Sequence, residues 1–79
     1  MVAYIKHIAQ LMRRAGAENT PENKEMLDSI IRDVLSMHSS DSSEVWEKVK
    51  SLMYGGDAAA KKDFEDKVVR IFIKKLIAG

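Results

Sequence analysis

Three short interruptions, Gly16 to Asn19, Ser39-Ser40 and Gly55-Gly56, divide the chain into four stretches whose apolar residues recur every three or four positions. That spacing lines one side of an α-helix, and it predicts four helices joined by short connections. Between residues 2 and 15, Tyr4, Ile5, Ile8, Leu11, Met12 and Ala15 share a face, with Lys6, Gln10, Arg13 and Arg14 opposite. Gly16 then stands where a helix end favours a residue free to take positive φ. Thr20-Pro21 is a start signal. A threonine hydroxyl can cap free amides, and proline at the first helical position gives up only an amide that has no partner. The second helix is expected over 21–38, with Met26, Leu27, Ile30, Ile31, Val34 and Met37 on its apolar arc and an Asp28–Arg32 pair one turn apart. Asp41 with Glu44 three residues on opens a third helix over 42–54, which buries Val45, Trp46, Val49, Leu52 and Met53. Asp57 and the helix-forming Ala58, Ala59 and Ala60 begin a fourth over 58–78.

Short connections favour antiparallel neighbours. The expected fold is therefore all-α: one compact four-helix domain, either an up-down-up-down bundle or two packed helical hairpins, with the first helix beside the fourth. At 79 residues and 8.9 kDa there is room for one modest core and none for a second, substrate-binding domain. The absence of cysteine excludes a disulfide scaffold, a thiolate zinc site, an iron–sulfur cluster and a cysteine nucleophile together. A hydrophobic content of 46% beside 32% charged residues is that of a folded globular domain. Lys6, His7, Gln10, Arg13 and Arg14 break up the N-terminal stretch, so neither a signal peptide nor a membrane span is expected, and a cytoplasmic location is.

No residue set has the spacing that catalysis demands. His7 and His38 have no second histidine at metal-ligand spacing, and there is no glycine-rich phosphate loop. His38 falls on the apolar arc near the end of the second helix, where it is expected to be a satisfied structural residue. Ser36, Ser39, Ser40, Ser42 and Ser43 crowd one connection with no base spaced to activate them, which suits capping. No catalytic residue, metal, cofactor or small-molecule substrate is therefore expected, and the chain reads as a non-enzyme. Met12, Met26, Met37 and Met53 all lie on apolar faces. Flexible thioethers fill gaps in cores and also suit adaptable binding surfaces, which leans toward an interaction module.

The fourth helix carries the sharpest signal. Phe64, Val68, Ile71 and Phe72 make one apolar stripe, and Val69, Ile73 and Ile77 make a second on another side. The β-branched run Val68 to Ile73 suits a strand, but an Ala- and Lys-rich lead-in without a turn signal favours the helix. One core face cannot absorb both stripes. Either this helix is central and meets neighbours on two sides, or Val69, Ile73 and Ile77 bury against a second copy or a partner protein. The latter makes the chain a regulatory or adaptor module that works by helix-mediated association, with a homodimer as one form. A third reading, a cationic amphipathic helix lying on a membrane, is weakened because the apolar residues are not confined to one face.

Charge suggests the rival function. Residues 1–16 carry +3, residues 17–57 carry −5 and residues 58–79 carry +3. If the first and fourth helices are neighbours, Lys6, Arg13, Arg14, Lys67, Arg70 and Lys74 form a basic side able to bind nucleic acid through its phosphates. The bland counterpart is that acids near helix starts and bases near helix ends satisfy the helix dipoles without any ligand.

Overall fold

Each of the later connections supplies the cap of the helix that follows it. The computed structural model describes Ile5 and residues 8–78, and its regular elements are α1 (Gln10–Arg14), α2 (Pro21–Leu35), α3 (Ser42–Tyr54) and α4 (Ala58–Ala78). Thr20 Oγ1 accepts the Asn23 amide at 3.2 Å, Asp41 Oδ1 that of Glu44 at 2.9 Å and Asp57 Oδ1 that of Ala60 at 3.0 Å. These bonds satisfy amides that a helix start leaves free, and they begin three helices where the sequence expects them. Gly56 takes a φ of +90°. At Gly55 a Cβ would run into the Ser51 carbonyl oxygen, so the close approach of the chain to the end of α3 requires glycine.

Two elements are shorter than expected. α2 stops at Leu35 instead of His38, because Ser36 adopts a left-handed conformation with φ +57°. The Met37 amide then closes back on the Arg32 carbonyl at 2.9 Å, a bond that terminates the helix. Arg32 secures the turn beyond. Its Nε donates to Asp28 Oδ2 at 3.0 Å, and its Nη1 donates to the carbonyls of Met37, His38 and Ser40. A cationic side chain thus takes up the chain's carbonyls where the helix no longer does.

α1 is the larger departure. The expected helix over 2–15 falls partly outside the described residues, and within them the regular helix begins only at Gln10. Upstream, the Ile8 amide bonds to the Ile5 carbonyl at 2.9 Å and the Leu11 amide to the Ile8 carbonyl at 3.0 Å. Three-residue turns of this kind stack side chains i and i+3 in one line. Ile5, Ile8 and Leu11 are all fully buried. Ala9, at the start of α1, has no side chain able to cap it.

The four elements meet at α4. At about 1.5 Å per residue its 21 residues reach about 32 Å, the longest dimension of the molecule. α1, α2 and α3 each pack against α4, α2 most extensively, and contacts among α1, α2 and α3 themselves are sparser. The arrangement is a spine with three flanking elements, which refines the bundle expected from loop length. α4 contributes Phe64, Val68, Val69 and Phe72 to the core. Around them lie Ile5, Ile8, Leu11 and Met12 from the N-terminal segment, Leu27, Ile30 and Ile31 from α2, and Val45, Val49 and Met53 from α3. No polar side chain is buried among the described residues.

Candidate interaction surface

The second apolar stripe of α4 divides at one residue. Val69 is only 9% exposed and belongs to the core, so this part of the stripe is internal, as a central helix requires. Ile73 is 37% exposed and Ile77 82%. Leu76, which the stripe omits, joins them at 37%. Every residue from Ile73 to Ala78 is exposed, so the helix runs on beyond the elements that cover its earlier turns. The signal for Leu76 was present in the sequence as an apolar residue three positions after Ile73, as close on a helix surface as the i+4 neighbour.

The basic side is only partly assembled. α1 does lie against α4, as expected, but its Arg14 faces carboxylates: Nη2 is 3.1 Å from Asp66 Oδ1 and Nη1 3.5 Å from Glu65 Oε1. Lys67 pairs with Asp63 at 3.2 Å. Arg13, Arg70 and Lys74 are exposed and have no ion pair among the described residues, and Lys75 is in the same state. Lys6 lies outside the described residues. The six cations therefore do not form one free basic surface: two are compensated, and of the others Arg70 and Lys74 sit on the same stretch of α4 as the exposed isoleucines.

His38 is not on the apolar arc, since α2 ends before it. Its ring is largely exposed, with Nε2 3.0 Å from Asp33 Oδ1. His7 lies outside the described residues. No cluster of three or more histidine, aspartate or glutamate side chains suited to a metal ion occurs among the described residues. Among those residues too, no helix is long and apolar enough to cross a membrane.

Two surface features went unread in the sequence. A shallow groove between α2, α3 and α4 has Val34, Leu35, Leu52 and Phe64 on its floor and Lys48, Asp63 and Lys67 on its rim. On α3, Lys50 Nζ stands 5.6 Å from the centre of the half-buried Trp46 ring, and Tyr54 is 63% exposed. The groove joins residues far apart in sequence, so no local pattern announces it. The Trp46, Lys50 and Tyr54 spacing of four was available as a signal. Compared with protein-family models, curated proteins and solved structures, the chain matches none.

Proposed function

We propose that this protein is a small non-enzymatic interaction module that associates, through the end of α4, with a partner protein or a second copy of itself. The observation that carries this reading is Ile77, an isoleucine 82% exposed beside Ile73 and Leu76 on a helix whose preceding turns are core. Scattered surface apolar residues are ordinary, but three large ones on two successive turns make a patch of the kind that helix-in-groove recognition uses. A cysteine-free composition suits a reducing, cytoplasmic setting for such a module. The rival reading, a nucleic-acid-binding regulator, has less support because Arg14 and Lys67 already face carboxylates.

The test joins solution mass by light scattering over a concentration series to titration with a neutral amphipathic helical peptide bearing leucine on one face and glutamine on the other. Association in either arm is expected, and Ile73→Ser with Ile77→Ser should remove it while leaving the circular dichroism of a folded helical chain. A wild-type chain that stays monomeric and ignores the peptide overturns the reading. So does a doubly substituted chain that unfolds, which would make these side chains internal. Duplex DNA binding that weakens steeply with salt and is lost on Arg13→Glu with Arg70→Glu would favour the rival.

A further inference from the structure

We infer that the end of α4 is shaped for an acidic amphipathic helix of a different protein, and not for a second copy; the inference rests on the association surface proposed above. Ile73, Leu76 and Ile77 share two turns with Arg70, Lys74 and Lys75, all exposed and without an ion pair among the described residues. Residues 67–79 include no acidic side chain. Elsewhere in the fold Arg14, Arg32, Lys50 and Lys67 pair with carboxylates, while Arg13, Lys24, Lys48, Lys61 and Lys62 do not among the described residues. What sets the end of α4 apart is that its cations stand beside exposed apolar residues on a stretch that holds no acid. The helix dipole accounts for Lys75 in the last turn, but its reach does not extend back to Arg70.

The uncompensated charge decides between occupants. In a symmetric dimer a surface patch meets its own copy, so Arg70 and Lys74, which flank the apolar residues, would face the same two cations with no acid nearby to relieve them. A lipid surface is the weaker fit. A helix lying in a membrane interface needs an apolar face along its whole length, whereas one turn back Val69 is internal and Asp66 is engaged by Arg14. A partner helix with leucine-like side chains on one face and carboxylates on the flanks meets both halves of the surface, the apolar residues by burial and the cations by pairing.

The experiment follows backbone amide shifts of the full chain during titration with two versions of the leucine-faced peptide, one with glutamate and one with lysine on the polar face. The glutamate peptide should bind about tenfold more tightly, the scale of a few exposed charge pairs, with shifts confined to residues 70–78 and an affinity that falls with salt. Arg70→Glu, Lys74→Glu and Lys75→Glu together should reverse the order of the two peptides. Equal affinity for both overturns the inference. Shifts centred away from α4 do so as well, as does a dimer by light scattering, or binding to phosphatidylserine–phosphatidylcholine vesicles in preference to the glutamate peptide. If the neutral peptide binds through Ile73 and Ile77 while the charged pair do not differ, the association surface stands and its acidic partner falls. If none of the three peptides binds and no dimer forms, both fall.

Discussion

The two halves of α4 share an apolar rhythm and end in different environments. From Phe64 to Phe72 the apolar side chains are internal or largely covered, and the acids between them, Glu65 and Asp66, engage Arg14. From Ile73 onward, isoleucine, leucine and lysine recur in a similar rhythm, but every residue is exposed and the lysines stand alone among the described residues. Apolar periodicity thus marks which side of a helix can be buried, and the neighbouring elements decide where along the helix burial stops. α1, α2 and α3 cover one side of α4 from Phe64 to Phe72 and leave its last two turns free.

Substitutions along the helix grade this contrast. Phe72→Ala should be the most damaging. The ring is fully buried, and removing it costs about 3–5 kcal/mol, enough to unfold a marginal small domain in modest urea as followed by circular dichroism. Val69→Ala should lower stability by about 1–2 kcal/mol in the same denaturation, and an effect no larger than at Ile77 would move Val69 out of the core. Arg14→Ala should cost under about 1 kcal/mol and less still at high salt, since its pairs with Glu65 and Asp66 are partly exposed; a salt-independent loss would point to packing instead. Ile77→Ala should stay within about 0.5 kcal/mol of wild type, and a core-sized loss there would erase the distinction between the two halves.

Much of this fold was legible from local chemistry. Thr20, Asp41 and Asp57 are short polar residues immediately before apolar periodicity, and each caps the expected helix. The Asp28–Arg32 pair also stands where helical spacing puts it. What the pattern could not reach was non-local or conformational. Ser36 ends α2 in a left-handed conformation that serine adopts at a cost, and the carbonyls that Arg32 collects from Met37, His38 and Ser40 identify themselves only once the chain has turned. Apolar positions three apart, at Ile5, Ile8 and Leu11, fit an α-helix or a tighter turn equally well in a list of residues, and the structure chooses the tighter turn. At the candidate surface, helical spacing found Ile73 and Ile77. It grouped Val69 with them because a helical wheel carries no information about where the neighbouring helices end.

The most direct test of the division within α4 is residue-resolved amide hydrogen exchange on the whole chain, alone and with the glutamate-faced peptide. Amides of the covered stretch from Phe64 to Phe72 should exchange only with global unfolding, those of the last turns should exchange far faster, and the peptide should slow the latter while leaving the former unchanged. Uniform protection out to Ala78 in the free chain, or slowing by the peptide anywhere but the end of α4, would contradict the account.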